Sequence, residues 1–470
     1  MTLIIRCNER YLPERRYIFD VVLGECLGLE YELIPHNLDE LHIVVQNDTS
    51  GRILRVADNF FQTSKEDWLT EAAMPQSPLE RCELPEEWRS ERFVSPLVPV
   101  IFGEPSGDRG FLTRSDDNVC IGIDVFGSAF FMLTRYEEAI HGQRDRHGRF
   151  SAAQSLAMRN DLLERPLVNE YVEILWQGLV FLNPQLKRQP REYRALMSHD
   201  VDLPLMHTSE DTWRGVLRRS LEEDIIGRRN VGMAARRLRS YHSFRRGRIS
   251  DDPYNTHSYL MDVSEAHGIR SAFYFTAGAT HPIYDPNRSI DDPFIHDLIR
   301  SIHQRGHEIG FHPSYCTSDD ADRTKTEFDS FRRMLETNGI ELDEFGGRQH
   351  FLRWENPQTW RNWQHIGAAY DSTLGFADRV GFRCGMCYEY PVFDLHAREA
   401  ISLRERPLIV SDSALLNYMN LDLTDALSKI QALSETCARF DGDFSLQVHN
   451  STLHSKRRRR WYADVVKAAA

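Results

Sequence analysis

The stretch Ser198-His199-Asp200-Val201-Asp202 sets two carboxylates two positions apart. It closes the run Arg194-Ala195-Leu196-Met197, which reads as a β-strand. Side chains alternate faces along a strand, so Asp200 and Asp202 project the same way at its end. Two carboxylates in one pocket repel as anions unless a cation, a proton or a strong hydrogen bond separates their roles. The simplest division has one Asp binding a metal and the other acting as a base.

Other segments supply the partners this chemistry needs. Gly306-His307-Glu308-Ile309-Gly310-Phe311-His312-Pro313-Ser314-Tyr315-Cys316 places His312 at a predicted strand end. Imidazole is a common ligand for zinc, iron, cobalt or nickel. His312 with Asp202 is therefore a candidate metal-ligand pair, whereas His307, earlier on the strand, reads as structural. Arg348-Gln349-His350-Phe351-Leu352-Arg353 follows the pair Gly346-Gly347. A guanidinium from Arg348 or Arg353 could hold the carboxylate of Asp200 in place, and His350 is a candidate third metal ligand. The last strand, Phe444-Ser445-Leu446-Gln447-Val448-His449, puts His449 at its end. A histidine needs an orienting partner to act as an acid, and Asp371 or Asp412 could provide it. Cys384-Gly385-Met386-Cys387 is a lone CxxC without the second pair a zinc ribbon requires, and reads as loop cysteines.

These residues need elements to position them. Strands are predicted at 194–199, 270–276, 306–312, 345–351, 366–371, 408–411 and 444–449, with helical periodicity at 286–305 and 318–338. Strand–helix alternation implies βα units and a mostly parallel sheet or barrel. Asp200, Thr276, His312, His350, Asp371, Asp412 and His449 all fall near the C-terminal ends of those strands, the face on which barrel active sites collect. Before residue 183 the chain mixes short strands with two amphipathic helices, at 124–138 and 166–176. The polar stretch 183–191 reads as a linker. The expected organisation is thus a smaller α+β domain over 1–190, linker included, and an α/β domain over 191–470. Residues 214–248 are rich in arginine and read as a solvated helix face or as an insertion for an anionic or nucleotide-linked substrate. Lys456-Arg457-Arg458-Arg459-Arg460 reads as surface.

Composition narrows the function classes. The chain has 470 residues, 27% of them charged, and a formal net charge of −13, which argues against a general nucleic-acid binder. No apolar run of about 18 residues exists, so no transmembrane helix is expected. The N-terminus reads as a strand and lacks the features of a signal peptide, so a cytoplasmic location is expected. The eight cysteines are scattered and are expected to be reduced thiols.

In order and type these residues resemble a divergent polysaccharide deacetylase of the NodB-homology, or carbohydrate esterase family 4, type. The resemblance covers residues about 191–455. Asp200-Val201-Asp202 is similar to the family's first motif, in which the first Asp is the base and the second binds metal. Here Val201 stands between two Asp that are usually adjacent. Gly306–His312 is similar to the second motif, in which the position of His312 begins a His-x-x-x-His metal pair. The second histidine of that pair falls at Cys316. Arg348 is similar to the third-motif arginine that anchors the base, although no proline follows it. Asp371 loosely matches the fourth motif, and His449 is similar to the fifth-motif histidine that acts as general acid. The N-terminal segment is similar to an uncharacterised domain that precedes such deacetylases in some bacterial proteins.

The resemblance implies a deformed (β/α) barrel preceded by the smaller α+β domain. It implies a metal-dependent hydrolase that removes N-acetyl groups from an amino sugar. The catalytic residues would be Asp200, His449, Arg348 and Asp371. The divalent metal, zinc foremost with iron, cobalt or nickel possible, would be held by Asp202, His312 and His350, with Cys316 as the alternative third ligand. Tyr315 and Arg353 would contact substrate, and a backbone N–H near Tyr315 would help hold the oxyanion. The expected substrate is an N-acetylated glycan, lipid-linked or nucleotide-linked precursor in cell-surface polysaccharide synthesis. Two other readings stay open: a metal-dependent hydrolase of another non-peptide C–N bond, and a non-catalytic carbohydrate- or partner-binding protein.

Overall fold

The computed structural model describes residues 1–470 except 106–109, 116–117, 228 and 286–288. The first strands are β1 (Thr2–Cys7), β2 (Glu30–Pro35), β3 (Glu40–Val45) and β4 (Ile53–Ala57). They are followed by β5 (Glu80–Glu83), β6 (Leu97–Val100), β7 (Leu112–Arg114) and β8 (Asn118–Ile121). β3 and β4 bury every second residue, the alternation of a sheet with one face on a core. The order β2-β1-β3-β4-β8-β7 forms a mixed sheet, and β5 pairs with β6 apart from it. Helices Leu12–Phe19, Val125–Leu133 and Leu167–Leu182 supply that core.

The predicted helix over 124–138 is two helices, broken at Arg135, whose φ of 52° is left-handed. The break aims the buried Arg135 guanidinium at Glu137, Glu138 and the carbonyl of Arg383. The second predicted helix runs further than expected, to Leu182.

The second sheet contains β9 (Arg194–Val201), β10 (Ala272–Phe275), β11 (Glu308–Phe311), β12 (Gly346–Gly347) and β13 (Tyr370–Asp371). Its remaining strands are β14 (Tyr390–Asp394), β15 (Glu399–Glu405), β16 (Val410–Ser411) and β17 (Asp443–Gln447). Their order is β14-β15-β13-β12-β11-β10-β9-β17-β16. All neighbours pair in parallel except β14 with β15. The buried run Ala272–Phe275 shows no alternation, as expected of a parallel strand covered on both faces.

Each predicted strand of this half has a counterpart, but β12, β13 and β16 are much shorter than expected. The hairpin β14–β15 had no counterpart in the sequence reading. Of the predicted helix 286–305, residues 286–288 lie outside the described residues, and the helix runs Pro293–Gln304. The 318–338 helix runs Ala321–Thr337.

Pairing among the described residues does not close a ring, since β14 and β16 end the order. β15 and β16 nevertheless run in the same direction and are four residues apart in the chain. One stretch of backbone therefore starts beside β13 and finishes beside β17. A single cluster of buried apolar side chains continues through both halves of the chain. Ion pairs Glu14–Arg398 and Glu138–Arg383 also join them. No helix among the described residues is long and apolar enough to cross a membrane.

Candidate active site

The carboxyl ends of β9, β11, β12 and β17 converge, and ligands of α/β sheets bind outside such ends. Asp200 lies within β9, and Asp202 follows it by one residue beyond the strand end. His312 follows β11, Arg348 follows β12, and His449 stands two residues past β17. β12 is a glycine pair for a steric reason. A Cβ on Gly347 would meet the carbonyl oxygen of Phe311 at 1.8 Å, and one on Gly346 would meet the Tyr370 ring at 2.3 Å. Larger residues would push Arg348 out of its place.

Arg348 is 1% exposed and hydrogen-bonded through all three side-chain nitrogens. Nη1 donates to Asp200 Oδ1 at 2.8 Å and to Ser198 Oγ at 3.0 Å. Nε donates to the Ser372 carbonyl at 2.9 Å and Nη2 to Ser372 Oγ at 3.0 Å. The other oxygen of Asp200 accepts from Gln447 Nε2. Both oxygens of Asp200 are thus fixed, in a residue 2% exposed.

Asp202 sits among three imidazoles. Its Oδ1 is 3.0 Å from His312 Nε2, and its Oδ2 is 3.6 Å from His350 Nε2 and 3.4 Å from His449 Nε2. Burial opposes charge on Asp202, but His350 and the neighbouring imidazoles outweigh it and hold the carboxyl well below its usual range. His312 Nδ1 donates to the Arg348 carbonyl at 2.5 Å, and His350 Nδ1 donates to Asp285 Oδ1 at 3.0 Å. Such bonds fix the tautomer and turn the Nε2 lone pairs inward. Asp202 Oδ1 and His312 Nε2 face each other at 3.0 Å in a geometry that makes no hydrogen bond, and neither buried atom has another partner among the described residues. Buried polar atoms left this way call for an explanation, and an ion is one. The ligand atoms of Asp202, His312 and His350 lie within 4.8 Å of one another. A carboxylate and two imidazoles suit a divalent transition metal. Burial lowers the His350 pKa, but Asp202 and Asp285 more than reverse this and push it up to about 9.

His449 Nδ1 donates to Asp412 Oδ1 at 2.7 Å, and its backbone N–H donates to Asp412 Oδ2 at 3.0 Å. Burial works against the imidazolium, but the Asp412 carboxylate and Asp202 raise its pKa well above the usual value. Thr452 Oγ1 also donates to Asp412. The sequence leaves Asp371 and Asp412 as alternatives here, and the structure gives His449 to Asp412.

Asp371 is elsewhere. It is fully buried, accepts from the N–H and hydroxyl of Thr373, and does not line the cavity. Burial pushes its pKa up to about 7. The short β13 ends one residue before Ser372, and it is Ser372 that reaches Arg348. Cys316 and Arg353 line a separate pocket with Asp319 and Arg323. Cys316 is therefore not in the three-residue cluster. Arg353 stacks on Tyr315, 4.4 Å from the ring centroid, and donates to the Tyr315 carbonyl. The Tyr315 hydroxyl meets His147 Nδ1 at 3.1 Å. The expected oxyanion donor is already used, because the N–H of Tyr315 donates to Asp285 Oδ1 at 2.8 Å. The N–H groups of Ser314 and Cys316 are likewise taken, by Glu327 and Thr280.

Five contributors are not legible in the sequence. Asp285 accepts from His350, Tyr315, Thr280 and His281, and its carboxyl is held low by those bonds against the opposing effect of burial. Gln447 Nε2 donates to Asp200 and lies 3.2 Å from His449 Nε2. Arg149, from the N-terminal half, lines the cavity beside Asp200, Asp202, His350 and Tyr418. It is paired with Asp145, and it donates to Tyr418 and to the carbonyl of Phe351. Phe351 and Leu352, also in the wall, have left-handed φ values of 62° and 54°. Such conformations persist only where the surroundings hold them, and Arg149 is one such hold. The cavity these groups enclose is about 190 Å³.

A family model described as a family of unknown function, DUF7033, matches residues 3–184. No curated protein matches the chain. Among solved structures, a Mycobacterium smegmatis protein assigned as a polysaccharide deacetylase is similar at 16% identity, with a TM-score of 0.37 over 59% of this chain and 84% of that one. PuuE allantoinase is similar at 12% identity, with a TM-score of 0.35 over the same shares. A Pseudomonas aeruginosa PAO1 protein assigned as a polysaccharide deacetylase is similar at 12% identity, with a TM-score of 0.36 over 61% of this chain and 89% of that one.

Proposed function

We propose that the chain is a metal-dependent hydrolase that removes the acetyl group from an N-acetylated amino sugar of a glycan, lipid-linked or nucleotide-linked precursor. Its second half is a deformed (β/α) barrel, whose ends meet along the run from β15 to β16. The observation that carries this reading is that Asp200, Asp202, His350 and His449 line one cavity, with Arg348 behind Asp200, His312 beside Asp202 and Asp412 behind His449.

Asp202, His312 and His350 hold a divalent cation, zinc foremost. When bound there, such an ion supplies Lewis acidity and a water of lowered pKa. Asp200, pinned by Arg348 and Gln447, accepts the proton of the attacking water. His449, kept protonated by Asp412, gives its proton to the leaving amine as the C–N bond breaks. Acid and base each contribute about 10²–10⁴-fold. Arg348, Gln447, Asp285 and Asp412 are positioning residues. Arg149 carries the N-terminal half into the cavity wall, and we assign the protein to the cytoplasm.

The test is acetate release from a panel of N-acetylated sugars, sugar nucleotides and lipid-linked saccharides, for wild type, Asp200→Asn and His449→Gln. Release that falls at least 100-fold in both variants supports the reading. Cleavage of a cyclic amide or ureide without acetate moves the reaction to another C–N bond. Wild type inactive with bound metal leaves only a binding role.

A further inference from the structure

The chain between Asp202 and the helix His257–Ala266 leaves the sheet at the carboxyl end of β9, the end that carries Asp200 and Asp202. It builds a helical segment, Trp213–Arg219 continued by Ser220–Gly227, and a second helix, Val231–Phe244. The first segment has a settled inner face: Val216, Ser220 and Asp224 are buried, and Asp224 pairs with Arg237 of the second helix. One position further on, Trp213, Leu217, Leu221 and Ile225 recur at four-residue spacing, and all are exposed, with Ile226 and Val231 beside them. Their exposures run from 39% to 67%. Monomeric proteins rarely display contiguous apolar patches of this kind without a use for them.

Charge says what covers the stripe. Residues 213–248 contain eleven arginines and three acidic residues, in a chain whose net charge is −13. Arg214, Arg229, Arg239, Arg245, Arg246 and Arg248 are exposed, and Arg218 is exposed but paired with Glu222. An apolar stripe carrying Trp and Leu and flanked by arginine is the pattern of a helix that lies in the plane of a membrane interface. Juxtaposed arginines favour anionic headgroups, which an acidic protein would otherwise be repelled by. We infer that residues 213–248 dock this protein on an anionic lipid surface, with Trp213, Leu217, Leu221 and Ile226 entering the interface. Because the insertion springs from the strand end that bears Asp200 and Asp202, docking brings the catalytic cavity near that surface. Leu203, directly after Asp202, is itself 46% exposed. The membrane docking stands independently of the deacetylase reading. Together the two select a lipid-linked saccharide as the substrate.

The experiment is co-sedimentation of the full chain with vesicles of phosphatidylcholine alone and of phosphatidylcholine with about 30% phosphatidylglycerol. Wild type is expected to pellet with the mixed vesicles at low salt, at least tenfold less with the neutral ones, and to be released by 0.5 M NaCl. The fourfold variant Trp213→Ser, Leu217→Ser, Leu221→Ser and Ile226→Ser is expected to lose at least tenfold in bound fraction while its circular dichroism and melting temperature match wild type. Should that variant misfold, Arg214→Glu with Arg218→Glu and Arg229→Glu carries the same expectation. No pelleting of wild type, or pelleting unchanged in both variants, overturns the inference. So does sedimentation equilibrium that shows a dimer lost in the fourfold variant, since the stripe would then belong to a second copy. None of these readouts depends on hydrolysis, so failure here is distinguishable from failure of the proposed activity.

Discussion

The pair Arg348–Asp200 can be tested for energy as well as for chemistry. The two side chains are 1% and 3% exposed and are joined by a 2.8 Å bond. Removing one partner of a buried ion pair costs about 3–5 kcal/mol, because the other charge is left without compensation. Arg348→Met keeps most of the aliphatic volume, strands the carboxylate of Asp200, and frees Ser198 Oγ and the Ser372 carbonyl. Its expected loss is about 4 kcal/mol in metal-free protein. Unfolding entropy of about 2.1 cal/mol/K per residue gives a chain of this size about 1 kcal/mol/K, so the melting temperature falls by about 4 °C. Asp200→Asn leaves the guanidinium uncompensated and loses a similar amount. The double variant has neither charge, so its loss is far smaller than the sum, with a coupling of about 3 kcal/mol. Denaturant unfolding of all four proteins, with chelator present throughout, measures the cycle. A coupling below about 0.5 kcal/mol would show that Arg348 does not compensate Asp200 and would refute its positioning role.

Asp285→Asn keeps the shape of the residue but not its charge, and it must turn an NH₂ toward groups that all donate. Metal affinity is expected to fall about 10–100-fold, read by competition with a chromophoric chelator; unchanged affinity would remove Asp285 from the site. His199 and His257 are both 1% exposed, and burial lowers the pKa of each to about 4. Below pH 6.5 the unfolded chain takes up protons that the folded chain refuses, so stability is lost as pH falls from 6.5 toward 4, by about 3 kcal/mol per histidine. His257→Gln is expected to flatten the decline of unfolding free energy between pH 6.5 and 4.5, and an unchanged slope would count against a neutral buried His257. Arg149→Ala removes a hold on Phe351 and one wall of the cavity, so KM is expected to rise at least fivefold with metal content unchanged; a wild-type KM would exclude the N-terminal half from substrate contact.

The strand-end histidines and carboxylates were legible because a β-strand puts its last residues at a fixed edge of the sheet. Asp202, His312, His350 and His449 all report their position through the strand each one follows. Arg348 was legible through the glycine pair before it, whose reason is the close approach of Phe311 and Tyr370. Asp285 was not, because it sits in an irregular loop after β10 and only tertiary hydrogen bonds give it a role. The choice of Asp412 over Asp371 turned on where two very short strands end, which periodicity cannot resolve. The idle N–H expected near Tyr315 was wrong for a related reason: the loop 280–285 folds back and uses that group. Arg149 is invisible to any reading that treats the two halves of the chain separately, because the wall it forms exists only where they pack.

The most direct measurement is elemental analysis of purified protein, for wild type, Asp202→Ala and His312→Ala. Wild type is expected to hold near one equivalent of a divalent transition metal, zinc foremost, and both variants are expected to lose it without loss of fold. A wild type that binds no metal even after incubation with zinc, or variants that retain it, would contradict the assignment of Asp202, His312 and His350 as its ligands.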